Sequence, residues 1–454
     1  MERILPVFLY YAVNVVFRAD LFSILITFPM FLICCFNLYR IEGKFIGFED
    51  ILWFIVFIFF VIGPLQRIDG NMLPLTGPTS GIIFSKSDMF WGTMIPTLFF
   101  LMLTIGSILF RAEGRSGTRE DYFLLEDKVI ILLVVNVVAF VAVVALSGGL
   151  GNLMAARSEK VREDVSTIAI FAKCMQQISC FFICILYRTK FAHPRLGFQR
   201  LVALVMSILL LLVVLNPFNT ARFGLIVTWM PIGFIMLRGM VPVMPFYVAM
   251  LMGMLVVMPI LSLTSRFGTS IIEAFESVNV SEAFFSLKYI DVSDMMTYLI
   301  GYVQEDGHYY GLKSLGALLF FIPRSIWTSK PTLIALDMGD ELVAFDRAGT
   351  DNLSLFFGGE FYADLGMLGV AIGGLILSFV YARVVIGRRV MINGFELRNL
   401  VLMAATPILL RGPIGAVLPV PFLLLGVLFI FTMIFCVKYR APRPTIPRRV
   451  GVGR

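Results

Sequence analysis

Four basic residues lie where apolar sequence meets polar sequence, and they are the side chains best suited to bind an anion at a membrane. Arg222 begins an apolar run, Arg411 ends another, and Arg324 and Lys330 lie in the segment FFIPRSIWTSKP. Arginine can grip a phosphate through two parallel hydrogen bonds, and apolar neighbours would hold its guanidinium at the bilayer edge. This pattern suits a lipid-linked anion at the membrane surface.

Arg222 and Lys173 each leave two interpretations open. Arg222 either snorkels from a helix end or makes a second phosphate contact beside the amides of that helix N-terminus. Lys173 lies inside an apolar run, close to Gln176 and Gln177. A cation at the centre of a membrane helix costs about 2.5–3.5 kcal/mol. Lys173 therefore either reaches the outer interface or lines a wet cavity.

Glu360 is the acidic residue that stands out, in the sequence GGEFY just before an apolar run. A carboxylate between glycines and aromatic residues at a membrane edge is a candidate general base. The alternative is a hydrogen bond or an ion pair with a nearby arginine. His308, in EDGHYY, is expected to be a surface histidine.

The composition indicates an all-α polytopic membrane protein. Hydrophobic residues make up 59% of the 454, only 15% are charged, and the mean hydropathy is +0.91. A soluble domain of that composition would expose large apolar patches. The six cysteines fall in apolar segments, and neither a phosphate-binding loop nor a metal-ligand spacing is present. We therefore predict no disulfide framework, no metal and no cofactor.

Apolar runs of nearly 20 residues predict about twelve transmembrane helices. The predicted spans are 4–17, 21–39, 50–66, 89–110, 128–147, 167–187, 199–215, 223–238, 241–262, 366–386, 399–412 and 418–437. Helix-like pieces within the long loop are predicted at 271–277, 281–289, 292–304 and 311–322.

The resulting organisation is one integrated membrane domain with four parts. These are N-terminal transmembrane helices (1–262), a large extracytoplasmic loop region (263–365), C-terminal transmembrane helices (366–437) and a basic tail (438–454). Lysine and arginine in alternate loops mark the cytoplasmic side. On that basis the tail and the loops 40–49, 111–127, 188–200 and 386–398 are predicted to be cytoplasmic.

With these residues in view, the chain resembles the bacterial oligosaccharide repeat-unit polymerases, the Wzy-type O-antigen polymerase family. The residues that carry the likeness are Gly311-Leu312, the IPRSIW segment at 322–327, Lys330-Pro331, GEFY at 359–362, and Gly366 with Gly369. The large outer loop before the last spans agrees with it. The resemblance implies a fold of the C-type glycosyltransferase class in the bacterial inner membrane, with the active site facing the periplasm.

The resemblance also implies a reaction and its partners. Undecaprenyl-diphosphate-linked repeat units would be joined into a surface polysaccharide without metal or nucleotide sugar. The partners would be that lipid, membrane lipid and a chain-length regulator, but no nucleic acid. The related ligases use a histidine ahead of a glycine-rich helix start, and no histidine directly precedes Gly366. A ligase-like glycan transferase and a flippase or transporter remain the alternatives.

Under this hypothesis the site residues take three roles. Arg324 and Arg222 bind the diphosphate, with Lys330, Arg411 and Lys173 as supporting charge. Glu360 is assigned to the acceptor hydroxyl as a candidate general base. Glu360 and Arg324 are the two predicted catalytic residues. The residues expected to stack on sugar rings are Tyr309, Tyr310, Trp327 and Tyr362.

Overall fold

The computed structural model describes most of the chain. It covers residues 2–439 apart from 18, 68–78, 80, 115–117, 155–166, 190–193, 217–219, 221, 268–269, 286, 288–289, 323, 345–352 and 384–387. Among the predicted features that extend beyond the described residues are Pro323 of the basic segment, part of the piece 281–289, the end of the span 366–386, and residues 440–454 of the predicted cytoplasmic tail.

Helices dominate the N-terminal part of the chain. They are α1 (Ile4–Phe17), α2 (Leu21–Arg40), α3 (Phe48–Phe57), α4 (Gly63–Arg67), α5 (Lys86–Gly114), α6 (Val129–Leu146), α7 (Leu150–Met154), α8 (Thr167–Arg188), α9 (Pro194–Val214), α10 (Arg222–Met236), α11 (Val243–Met252) and α12 (Met258–Phe267). A π-helical turn at Ile58–Ile62 joins α3 to α4, and another at Gly253–Val257 joins α11 to α12. Each pair of helices therefore forms one continuous helical segment through its π-helical turn.

The central and C-terminal parts are also helical. The central helices are α13 (Ile271–Ser277), α14 (Val280–Phe285), α15 (Val292–Asp306), α16 (Leu312–Leu318) and α17 (Ile334–Ala344). The C-terminal helices are α18 (Gly358–Tyr381), α19 (Leu397–Arg411), α20 (Ile414–Val417) and α21 (Pro419–Phe435).

The polytopic helical architecture is confirmed. Within the described ranges, nine helices are long and apolar enough to cross a membrane. The shorter helices α1 and α10 are also apolar. Each of the twelve predicted spans falls on one of these helices or, for the span 399–412, on α19. The number that cross the bilayer stays a prediction.

The central segment is built into the bundle through α15. Val292, Met295, Met296 and Leu299 recur at helical spacing, are buried, and belong to the same core cluster as residues of α3 and α5. The predicted piece 271–277 coincides with α13, whereas α17 was not predicted. The region is therefore a set of packed helices, and its first long helix belongs to the core.

A small sheet is the element that the all-α prediction missed. Its strands are β1 (Thr118–Leu124), β2 (Arg388–Ile392) and β3 (Cys436–Tyr439), in the order β2-β1-β3. β1 pairs with β2 in parallel and with β3 antiparallel. The strands are short and distant in sequence, so local periodicity gave no signal for their pairing.

The sheet shows that alternate loops meet at one end of the bundle, which we call the sheet end. Arg200 lies at the same end, since its Nη2 is 2.6 Å from Glu126 just after β1. The loops around Phe45 and Pro242 meet each other through a β-bridge. These contacts agree with the predicted alternation of loops. The opposite end, where α13–α17 approach the core, is called the loop end below.

Helices α5 and α18 pack closely against each other. A Cβ placed on Gly374 would lie 2.5 Å from the carbonyl oxygen of Phe99 and 2.9 Å from the Cβ of Met102. A backbone oxygen cannot move aside without distorting its helix. Small residues allow such close approach of membrane helices, where packing drives association.

We predict that Gly374→Ala lowers the free energy of unfolding by about 1–3 kcal/mol, because the added methyl group overpacks the α5–α18 contact. The matched control is Gly301→Ala in α15, where a Cβ meets nothing within 4 Å. That change should leave stability equal or slightly higher, since alanine favours a helix over glycine by about 0.5–1 kcal/mol. Thermal unfolding in detergent measures both variants. Equal unfolding temperatures would contradict the packing interpretation.

Candidate functional site

Glu360 lies at the loop end, in the first turn of α18, with its side chain completely buried. Its Oε2 accepts a hydrogen bond of 3.2 Å from the backbone amide of Ile414 at the start of α20. Its Oε1 has no hydrogen-bond partner among the described residues. A buried carboxylate oxygen without a partner costs free energy, so it is available to accept a proton or a hydroxyl hydrogen bond.

The glycine before Glu360 allows this placement. A Cβ on Gly359 would lie 2.9 Å from Leu299 Cδ2 and 3.2 Å from Met296 Sδ. The first turn of α18 therefore packs directly against α15. The GGEFY sequence positions a carboxylate inside the core, where we had expected it at the edge of the membrane.

Arg411 and Asp291 form an ion pair beside this helix start. The Nη2 of Arg411 lies 3.0 Å from Asp291 Oδ1, and the Ser354 hydroxyl donates to the same carboxylate. The guanidinium of Arg411 also lies 5.0 Å from the ring centroid of Phe223. Arg411, predicted from its place at a span end, is thus held by α15 and by the first turn of α10.

A second ion pair lies one turn further along α15. The Nε of Arg67 is 3.2 Å from Asp294 Oδ2 and donates to the carbonyl oxygen of Ile290 at 3.0 Å. Arg67 and the two aspartates were not among the predicted site residues. Arg67 ends a predicted span just as Arg411 does, and the aspartates are three residues apart at the start of an apolar helix. Those two signals could have identified them.

The two aspartates titrate in opposite directions. Burial acts to raise the pKa of Asp291, but the charge of Arg411 and the Ser354 hydroxyl outweigh it and hold that pKa below its usual value. Burial raises the pKa of Asp294 to about 7, against the opposing charge of Arg67 and with a further increase from Asp291. The loop end therefore carries one firmly ionised carboxylate and one that exchanges protons near neutral pH.

Arg324 and Lys330 lie at the C-terminal end of α16. Lys330 Nζ donates to the carbonyl oxygens of Leu319, at 2.9 Å, and Ile322, at 3.1 Å. Arg324 is exposed, and its Nη1 donates to the carbonyl oxygen of Lys330 at 2.8 Å. These bonds stabilise the end of α16 in the usual way for basic residues at a helix C-terminus. They place Arg324 on the surface of the loop end.

α16 is in turn packed against α20. A Cβ on Gly415 would lie 3.3 Å from the Cα of Ala317, so the two short helices touch through their backbones. α20 therefore contacts α16, the helix before the Arg324–Lys330 turn, and also holds Glu360 through the amide of Ile414. Two parts of the predicted site are thereby connected through this one turn of helix.

Arg222 and Lys173 occupy neighbouring helices. Arg222 is buried at the start of α10, directly before Phe223. Lys173 is partly buried in α8, one turn before Gln177, whose Nε2 donates to Thr228 Oγ1 of α10 at 3.0 Å. Arg222 thus adjoins the Arg411 pair through Phe223.

The predicted aromatic residues gather around a kink in α18, with one exception. The amides of Tyr309 and Tyr310 donate to the carbonyl oxygens of Ala363 and Asp364, each at 3.0 Å. The kink is at Gly366, whose φ of +61° favours glycine. Tyr362 packs edge-on against His308 at a centroid distance of 5.9 Å. The exception is Trp327, which lies on the Arg324 turn.

Asp364 and Lys313 hold this segment in place. The carboxylate of Asp364 accepts from the amides of Lys313, at 3.0 Å, and Ser314, at 2.7 Å. Lys313 Nζ forms an ion pair with Asp337 and lies 4.5 Å from the ring centroid of Tyr309. Lys313 is therefore engaged in positioning Tyr309.

No group of three or more histidine, cysteine, aspartate or glutamate side chains suited to a metal ion occurs in the part of the chain that the structure describes. No family model matches the chain, and comparison with curated proteins and with solved structures finds no match.

We predict that Asp294 makes stability depend on pH. Its pKa of about 7 in the folded protein exceeds the ordinary 3.8, so the folded state keeps a proton that the unfolded chain releases. Stability should therefore fall as pH rises from about 4 to about 7, with a limiting slope of about 1.4 kcal/mol per pH unit.

Thermal unfolding of Asp294→Asn over this pH range tests the assignment. The variant should lose this part of the slope, because its amide does not titrate. The exposed Asp340 provides the control Asp340→Asn, which should keep the wild-type slope. An unchanged slope in Asp294→Asn would assign the titration to another group.

Proposed function

We propose that the protein is a glycosyltransferase that joins polyprenyl-diphosphate-linked oligosaccharide repeat units into a polysaccharide. The proposal places it in the bacterial inner membrane, with the loop end facing the periplasm. It rests on the sequence resemblance and on the chemistry of the loop end together.

One observation carries the proposal most strongly. Glu360 is completely buried, has one free carboxylate oxygen, and is held by the amide that follows Arg411-Gly412-Pro413 in the chain. A potential base and a guanidinium group are therefore supplied by adjoining turns of α18, α19 and α20. Proton abstraction from a hydroxyl and stabilisation of a departing diphosphate require these two kinds of group.

The reaction would balance as follows. The acceptor sugar hydroxyl oxygen forms a bond to the anomeric carbon of the donor repeat unit, and Glu360 takes the hydroxyl proton. The bond between that carbon and the diphosphate oxygen breaks, and polyprenyl diphosphate leaves with the electron pair. No nucleotide sugar is needed, because the diphosphate is already a good leaving group.

Charge at the loop end would favour that departure. Arg411 and Arg222 lie on adjoining elements, and Lys330 and Arg324 lie on the turn that follows α16, the helix packed against α20. Each charge-assisted hydrogen bond contributes about 1.5–3 kcal/mol. The gain counts toward catalysis only when the bond strengthens as the diphosphate develops charge.

A second candidate is a ligase-like transfer of finished glycan to another acceptor. The fold brings His308 to the kink of α18, where a Cβ on Gly366 would lie 3.4 Å from the imidazole Cε1. A histidine thus adjoins the glycine of the helix kink in space, although none directly precedes it in sequence. His308 and Glu360 are then rival bases, and their variants distinguish the two candidates.

The decisive experiment uses the purified protein in lipid nanodiscs with polyprenyl-diphosphate-linked repeat units as sole substrate. Elongated lipid-linked glycan, formed without added metal or nucleotide, is the expected product. Transfer only to an added foreign acceptor would favour the ligase. Movement of lipid across vesicles without any new glycosidic bond would favour a transporter.

We predict that Glu360→Gln lowers the elongation rate by about a hundredfold or more, because the amide cannot accept the proton. Glutamine keeps the size and can still accept from the Ile414 amide, so the fold should survive. The matched control is Glu305→Gln at an exposed position of α15, which should elongate normally. If His308→Ala abolishes transfer and Glu360→Gln does not, the ligase candidate replaces the first.

We predict that Arg324→Ala abolishes long glycan chains in cells while single repeat units still reach the outer surface. The change removes a charge assigned to the diphosphate and the bonds that hold the Lys330 turn. The exposed Arg119 of β1, at the sheet end, gives the control Arg119→Ala. Wild-type chain lengths in Arg324→Ala would remove this residue from the site.

A further inference from the structure

A long apolar groove runs along α18 between the loop end and the sheet end. It encloses a volume of about 400 Å³ and is bounded by α2, α3, α5, α18 and α19. Leu318, Leu410 and Ile414 line its loop end, and Arg40, Glu49 and Tyr381 line its sheet end. Because Ile414 also donates to Glu360, the groove opens beside the candidate site.

The length of the groove matches the thickness of a membrane. Phe361 and Tyr381, near the two ends of α18, both line it. At about 1.5 Å per helical residue, this separation is at most about 30 Å, since the kink at Gly366 shortens it, and it approaches the thickness of a bilayer hydrocarbon core. We call this groove, which follows most of α18, the slot.

One side of the slot is open at the surface of the helix bundle, and its wall is apolar. Ile376 and Val380 line it and are 54% and 44% exposed, whereas Phe100 and Leu103 on the opposite wall are buried. A chain could therefore enter sideways from the bilayer.

Three polar side chains that line the slot are already hydrogen-bonded. Asn37 Nδ2 donates to Thr104 Oγ1 at 2.8 Å, and Ser107 Oγ donates to the Thr104 carbonyl at 2.8 Å. Thr406 Oγ1 donates to the carbonyl oxygen of Leu402 at 3.0 Å. At these three positions the wall offers hydrocarbon contacts to an occupant, and the polar atoms are already engaged.

We infer that the slot holds a single polyprenyl chain, the hydrocarbon of the lipid carrier, with its phosphate head at the Glu360 end. The choice of head position rests on the proposed function; the choice of chain rests on length. A phospholipid acyl chain crosses one leaflet, about half of the slot. A chain that fills the slot must cross both leaflets, so the protein should discriminate carriers by hydrocarbon length.

The sheet-end half of the slot can be blocked separately. Ser107 is close to the level of Ser378, because a Cβ on the neighbouring Gly106 would meet the Ser378 side chain. Ser378 lies one turn before the end of α18. A large side chain at position 107 therefore obstructs the sheet-end half of the slot and leaves its loop end, beside Ile414, open.

The test is photo-crosslinking in nanodiscs with photoactivatable undecaprenyl phosphate, farnesyl phosphate or phosphatidylglycerol, without any sugar. Wild type should label most efficiently with the undecaprenyl probe. Ser107→Phe and Ile376→Trp should lower that labelling about tenfold and leave the weaker farnesyl labelling unchanged. The matched control is Leu368→Trp, which is 67% exposed on the same helix but outside the slot.

Equal labelling by the undecaprenyl and farnesyl probes would overturn the inference, as would undiminished undecaprenyl labelling of both blocked variants. Equal labelling by the undecaprenyl and phosphatidylglycerol probes would identify the slot as an ordinary lipid site and would also overturn the inference. The assay contains no glycan, so its outcome is independent of polymerisation. If labelling follows the prediction but no elongation occurs, the slot stands and the polymerase proposal fails.

Discussion

The ion pair between Arg411 and Asp291 is the interaction on which the loop end depends. A charge away from water requires a partner, because leaving one buried ion unpaired costs several kcal/mol. Arg411 ends α19, and its counter-charge comes from the residue before α15. The pair therefore ties the start of the central segment to α19, alongside the apolar packing of α15. Once α15 is in place, Met296 and Leu299 pack on Gly359 and bring Glu360 into the core.

Charge and hydrocarbon are separated along the molecule in a way that a bilayer requires. The two ends carry the ion pairs, such as Arg67–Asp294 at the loop end and Arg3–Asp50 at the sheet end. Between them the slot beside α18 is apolar. A lipid with a charged head and a long tail needs the same sequence of environments, which is why the geometry supports a lipid-linked substrate.

Glu360 and Phe361 show how the two environments meet. Glu360 is buried at the loop end, and the next residue, Phe361, lines the slot. A Cβ on Gly373 would lie 2.6 Å from the Phe361 ring, so the ring is packed tightly against its own helix. The head and the tail of one substrate would therefore be positioned by successive residues of α18.

The sequence alone determined the helical membrane class, the place of most helices, and several side chains of the loop end. Apolar runs and basic loops act locally, so α13 and the positions of Arg222 and Arg411 at helix ends could be read directly. Only the tertiary structure decided which charges pair and which strands meet. Asp291 and Arg411 are 120 residues apart, and β1 lies far in sequence from β2 and β3. Such partners are chosen by packing across the bundle, and local periodicity carries no record of that choice.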